Sequence, residues 1–238
     1  MNRRLCLLTL LLLAGCDLPG KPRKQDRPVP QNEVLDFTQL YEQNCAGCHG
    51  RSGQLGPALP LNDPLFLAIV PDAVLHDVVA SGRPGTPMPA FRIDRTGPLT
   101  PAQVKVLADG LKKQWPASKT PDLPPYLAGE VKGDAVRGAK VYGRACASCH
   151  GDQGRGGMTT ALDGVGTRDV GPIRDQAFLR LVSDQALRRL IITGRSDLGM
   201  PDYAGKSGRA ADFAPLTSQE IADVVALLAQ WRQGSGGK

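Results

Sequence analysis

Cys45-Ala46-Gly47-Cys48-His49 and Cys146-Ala147-Ser148-Cys149-His150 are two copies of one pentapeptide, Cys-x-x-Cys-His, set 101 residues apart. The spacing lets two thiols add across the vinyl groups of one haem while the adjacent histidine reaches the iron. Together the copies take four of the six cysteines and two of the three histidines. The expected cofactors are therefore two covalently attached haem c groups. Cys45, Cys48, Cys146 and Cys149 carry the predicted covalent bonds, and His49 and His150 are the predicted iron ligands. A zinc protein built on the cysteine pairs is the competing use of these thiols, but exported twins of this motif seldom serve as metal clips.

Outward from the motifs the chain repeats itself. Tyr41 and Tyr142 each stand four residues before the first motif cysteine. Asp72-x-x-Leu75 aligns with Asp184-x-x-Leu187, Gly82-Arg83 with Gly194-Arg195, and Met88-Pro89 with Met200-Pro201. Pro98–Thr100 recurs at Pro215–Thr217, and Trp115 at Trp231. The offset grows from 101 at the cysteines to 112 at the methionines and 116 at the tryptophans. The second copy therefore holds insertions, chiefly Gly151–Gly171 and Gly205–Phe213.

The two remaining cysteines, Cys6 and Cys16, lie in a segment that reads as an export signal. Arg3 and Arg4 precede the apolar run Leu5–Leu13, which is too short to span a bilayer. Leu13-Ala14-Gly15-Cys16 matches the bacterial lipobox, so residues 1–15 read as a removed signal peptide and Cys16 as a lipidated first residue. Residues 16–33, with four prolines, read as a lipid-anchored extended tether of roughly 50 Å at most, at about 3.1 Å per residue. Residues 34–115 and 126–233 are the two predicted domains. Residues 116–125, again with four prolines, link them, and 234–238 form a tail expected to be disordered.

Composition narrows the partners. The formal charge of +6 falls to +4 without Arg3 and Arg4, and residues 34–115 balance at seven basic and seven acidic. No basic block or aromatic-basic interleaving of the kind nucleic acid requires is present. An aromatic content of 5% is small for two cores, and haem would supply the missing apolar surface.

The elements read as helix and loop throughout. A first helix is predicted over Asp36–Cys45 and Asp134–Cys146, each capped by its aspartate. A second spans Asp72–Ser81 and Ser183–Thr193, each stopped by a glycine suited to a left-handed cap. Thr100-Pro101-x-Gln103 and Thr217-x-x-Glu220 are capping boxes opening a last helix. There Val104, Leu107, Leu111 and Trp115 share a face, as do Ile221, Val224, Leu228 and Trp231. Gly110 inside the first of these last helices costs about 1 kcal/mol relative to alanine. No stretch alternates convincingly as a strand would.

These residues resemble the class I cytochrome c family over both halves. The resemblance implies an all-α fold: two tandem domains, each a few helices wrapped around a covalently bound haem. It also implies that the first and last helices cross at an aromatic contact, Tyr41 with Trp115 and Tyr142 with Trp231. Many members carry glycine four residues before the aromatic. Gly138 fits that place and Phe37 does not, so a wider first crossing is expected.

Repeat alignment and the resemblance together make Met88 and Met200 the sixth ligands of the two irons. A thioether there favours the ferrous state and raises the potential. Met158 lies eight residues from His150, too near to reach the opposite haem face. His76 aligns with Arg188 and reads as a solvated surface residue. By resemblance, the carbonyls of Pro57 and Pro172 are candidate acceptors for the histidine N–H. Arg83 and Arg195 are candidates either for haem carboxylates or for exposed capping.

With both irons filled, the expected function is single-electron transfer by a non-enzymatic carrier, free-standing or as a subunit of a respiratory complex. The expected partners are a quinol-oxidising complex, a terminal oxidase or reductase, or a dehydrogenase, together with the membrane through its lipid anchor. The expected location is the periplasmic side of a bacterial membrane. Asp17 resembles an inner-membrane retention signal. The alternative is a diheme enzyme, peroxidase-like or sulfur-compound-oxidising, with one open haem. A haem-ligating cysteine of the thiosulfate-oxidising kind would have no thiol left once Cys16 is lipidated.

Overall fold

Asp36 opens the first helix by accepting the backbone N–H of Gln39 at 2.7 Å, and Asp134 repeats the arrangement with Arg137 at 2.8 Å. The helices that follow, α1 (Phe37–Asn44) and α6 (Ala135–Ala145), each run into a one-turn helix carrying the rest of the pentapeptide. These are α2 (Ala46–His49) and α7 (Ala147–His150). The first motif cysteine sits at the joint in both, and a glycine with positive φ, Gly50 at 79° and Gly151 at 70°, ends the turn. The computed structural model describes residues 27–129, 131–160 and 166–234. The predicted signal peptide, Cys16, most of the tether and most of the tail lie outside the described residues. The described residues 27–34 belong to a unit of their own and hold a 3₁₀ turn at Gln31–Glu33.

The helices α4 (Asp72–Ser81) and α9 (Asp184–Thr193) match the predicted spans to within a residue, and α5 (Pro101–Gln114) and α10 (Ser218–Arg232) open at the predicted capping boxes. Both capping boxes are formed: Gln103 and Glu220 accept the N-cap N–H while Thr100 and Thr217 accept theirs. Gly82 and Gly194 stop α4 and α9 at φ 68° and 67°, with ψ near −160°. That is a glycine-only region rather than the left-handed helical cap expected.

Two six-residue helices went unpredicted: α3 (Pro64–Ile69), capped by Asp63, and α8 (Gln176–Leu181), capped by Asp175. So did a hairpin. β1 (Gly157–Thr160) pairs antiparallel with β2 (Thr167–Val170) inside the first insertion, Met158 facing Asp169 across it. The β-branched residues Thr159, Thr160, Thr167 and Val170 suit a strand, but four-residue arms are too short to show alternation.

The first and last helices cross in both repeats, with the aromatic contacts expected. Tyr41 meets Trp115 edge-on at 5.5 Å, and Tyr142 meets Trp231 at 5.2 Å. The large and small partners are exchanged. At Gly138 an added Cβ would lie 2.1 Å from the carbonyl oxygen of Asp223 and 3.2 Å from the Cβ of Leu227. At Gly110, which aligns with Leu227, an added Cβ would lie 2.1 Å from the Phe37 ring. The first crossing thus fits its phenylalanine by placing the glycine on the other helix, and the helix-weakening residue has a packing reason.

The proline-rich linker is bonded to both repeats. The N–H of Ser118 donates to the Pro64 carbonyl at 2.8 Å, and the Pro125 carbonyl accepts Arg188 Nε at 2.8 Å. Tyr126 follows at 2% exposure. Its ring lies 6.0 Å from Phe66 and its hydroxyl accepts Arg83 Nη2 at 3.1 Å. On the other side its carbonyl accepts Gln185 Nε2 at 2.6 Å. Arg188, aligned with the half-buried His76, is itself buried at 3% exposure. It bonds to Pro125 and Ser218, so the position is not the solvated one expected from the alignment.

Candidate functional site: two haem sites opening on one cavity

In each repeat the tyrosine of the first helix ties down the end of the pentapeptide. Tyr41 Oη donates to the Gly50 carbonyl at 2.8 Å, and Tyr142 Oη to the Gly151 carbonyl at 3.0 Å. Burial pushes the Tyr41 hydroxyl up to about 12 and raises that of Tyr142 as well, so both remain donors throughout the physiological range. Opposite, the Gly-Arg and Met-Pro motifs lie side by side. The N–H of Arg83 donates to the Met88 carbonyl at 3.0 Å, and that of Arg195 to the Met200 carbonyl at 2.9 Å. The glycines are required there: an added Cβ at Gly82 would fall 2.4 Å from the Pro89 backbone, and at Gly194 2.5 Å from the Met200 carbonyl oxygen. Two motifs joined in sequence only by their recurrence are joined in space by backbone contact.

One cavity of about 900 Å³ is lined by Cys45, Cys48, His49 and Met88 from the first repeat and by Cys146, Cys149, His150 and Met200 from the second. Hydrocarbon such as Val78, Leu107, Leu187 and Leu228 makes up most of the rest. An apolar cavity with imidazole, thiol and thioether converging on it suits a flat apolar ring carrying iron. His76 and Met158 do not line it, and Met158 is 64% exposed. Among the described residues no three His, Cys, Asp or Glu side chains are grouped as a metal ion would need.

The two histidines are held differently. His49 Nδ1 lies 2.8 Å from the carbonyl of Leu59. The expected acceptor, Pro57, lines the cavity without taking that bond, because the Ala58 N–H bonds Cys48 O at 2.9 Å and leaves Leu59 facing the ring. His150 Nδ1 is buried with no hydrogen-bond partner, and Pro172, expected to supply one, is exposed and off the cavity wall. Burial lowers the pKa of both histidines, which keeps the rings neutral and able to ligate a metal. Burial pushes the thiol of Cys45 up to about 12 and that of Cys146 up to about 11.

Of the two predicted arginines, both line the cavity. Arg195 is committed to Asp197, at 2.7 and 2.8 Å, whereas Arg83 reaches Tyr126. The insertions supply two arginines that sequence reasoning missed. Arg168 on β2 donates to the carbonyls of Leu198 and Gly199, beside Met200. Arg209 donates to the Ala145 carbonyl at 3.0 Å and stacks over Phe213 at 4.4 Å. Their positions inside the main stretches that break the repeat are the signal that could have marked them.

Helical repeats, paired Cys-x-x-Cys-His turns and a shared apolar cavity define a tandem c-type haem protein. The family described as Cytochrome c matches residues 135–231, and that described as Cytochrome C oxidase, cbb3-type, subunit III matches residues 32–111. The chain therefore belongs to the cytochromes c as a diheme member, with two covalently bound haems.

Its relatives include the Cbb3-type cytochrome c oxidase subunit CcoP of Azospirillum sp. (strain B510), 30% identical over 69% of this chain and 53% of the relative. Another is the Cytochrome bc1 complex cytochrome c subunit of Mycobacterium leprae (strain TN), 27% identical over 71% of this chain and 61% of the relative. The chain thus spans between about half and two thirds of the length of these curated relatives. Among solved structures, the Kuenenia stuttgartiensis reducing HAO-like protein complex shares 17% identity at a TM-score of 0.44, covering 86% of this chain and 99% of that one. Among the described residues no helix is long and apolar enough to cross a membrane.

Proposed function

We propose that this chain passes single electrons between respiratory partners through two haems ligated by His49 with Met88 and by His150 with Met200. The observation that carries the reading is the single cavity onto which both sets of four residues open. When bound, each haem iron takes up and gives back one electron, alternating between its ferric and ferrous states.

The chain's own residues hold that chemistry in place. Cys45 and Cys48, and Cys146 and Cys149, form the thioether bonds. His49 presents Nε2 to the iron because Nδ1–H donates to Leu59, which fixes the tautomer and the ring orientation. The Arg83 and Arg195 amides hold the methionine loops from behind. The apolar wall would keep water from the iron, so that little would rearrange when the charge changes. Electron paramagnetic resonance of the oxidised protein should show low-spin signals only; a high-spin signal at either site would support the enzymatic alternative.

The named relatives are subunits of an oxidase and of a bc1 complex, which supports a membrane respiratory complex as the partner. The lipobox at Leu13–Cys16 supports anchoring through Cys16. A Cys16→Ser chain should move from the detergent phase to the aqueous phase, and no change in partitioning would remove the lipid anchor from the account.

A further inference from the structure

Arg189 is a buried cation with no ion-paired carboxylate among the described residues. It lies on α9 of the second repeat at 5% exposure, yet its surroundings belong to the first. Its guanidinium sits 3.5 Å over the Phe66 ring and donates through Nη2 to the Pro60 carbonyl. Among the described residues Nε has no hydrogen-bond partner. Asp63 is the nearby acid, and its Oδ1 is engaged in capping α3. Burial above all, with like charge from Arg83 and Arg195, pushes Arg189 down to about 10.

A guanidinium held in this way has lost much of its hydration, which an anion would offset. The side chain lines the haem cavity, and its charge is felt at His49. Nor is it part of the repeat. The aligned residue in the first copy is Asp77, which is exposed, and Phe178, aligned with Phe66, is left 36% exposed with no arginine over it.

We infer that Arg189 pairs with a carboxylate of the haem carried by the first repeat, so that the second repeat sets the potential of the first. A fixed positive charge beside a haem favours its neutralising partner, the added electron, and holds the ferrous form. The arginine acts as a positioning residue across the repeat boundary, and the inference rests on the two-haem reading above.

Redox titration of the holoprotein, followed by visible absorption, tests this. Haem content is measured first by pyridine haemochrome. Two haems per chain with Arg189→Gln showing one potential lowered, by about tenfold in the ferrous-to-ferric ratio or 59 mV for one electron, is the expected result. The first haem is identified by Met88→His, which moves its potential selectively. Arg189→Lys should restore most of the shift, and surface Lys105→Gln should produce none. If Arg189→Gln fails to accumulate, Arg189→Met, which keeps apolar contact with Phe66, is read in the same way. Unchanged potentials with both haems present, or equal shifts in Gln and Lys variants, would overturn the inference. Fewer than two haems in the unmutated protein would instead overturn the two-haem reading.

Discussion

Asp223 shows how much one side chain in this fold carries. It is buried at 2% exposure on the second-repeat crossing. Its carboxylate accepts the Asp134 N–H, two guanidinium nitrogens of Arg137 and the Gln219 amide, all at 2.8–2.9 Å. The hydrogen bonds from Arg137, first among these, hold its carboxyl below the usual range. The folded state therefore binds fewer protons here than the unfolded one around pH 3–4. The stabilisation is complete above the unfolded value of about 3.9 and is lost as the pH falls through the lower folded value. Asp223→Ala should destabilise the protein by about 2 kcal/mol at pH 7, the exposed arginine partner holding the loss below that of a fully buried pair. Urea unfolding at pH 7 and pH 2.5 checks this: the gap between variant and parent should narrow at the lower pH, and a gap independent of pH would assign the effect to packing alone.

At the scale of elements, the exchanged glycines make a sharper claim. Alanine at position 110 would gain about 1 kcal/mol of helix propensity. It would also drive a Cβ into the Phe37 ring, and overpacking of that kind typically loses 1–3 kcal/mol. Gly110→Ala should therefore lower the melting temperature, and Phe37→Ala in the same chain should make the alanine favourable again. A rise in melting temperature for Gly110→Ala alone would show that the ring moves freely.

The same scale shows what the sequence could and could not reveal. Helices α1, α4, α5, α6, α9 and α10 announced themselves because each combines a capping aspartate, a capping box or a stop glycine with eight or more residues of chain. Helices α3 and α8 run only six residues, less than two turns, so no period could emerge. Gly110 looked like a weakness because the ring it accommodates lies some seventy residues away. The acceptor for His49 shifted from Pro57 to Leu59 because loop closure over Cys48 depends on a backbone bond that no residue type announces.

At the scale of the whole chain, the two copied sites open on one cavity, and the residues that place them side by side are those that break the copy. Tyr126 bonds Arg83 on one side and Gln185 on the other, and Arg188 and Arg189 hold the linker and the Phe66 face from the second repeat. Repeat alignment finds what two halves share, and for that reason it cannot find the asymmetric contacts that join them.

Titration of the fully reduced protein with carbon monoxide tests the central claim, that methionine fills the sixth position of both irons. The account predicts no uptake by the unmutated chain and one equivalent after Met88→Ala or Met200→Ala. Stoichiometric uptake by the unmutated protein would mean an open iron and a catalytic site in place of a carrier.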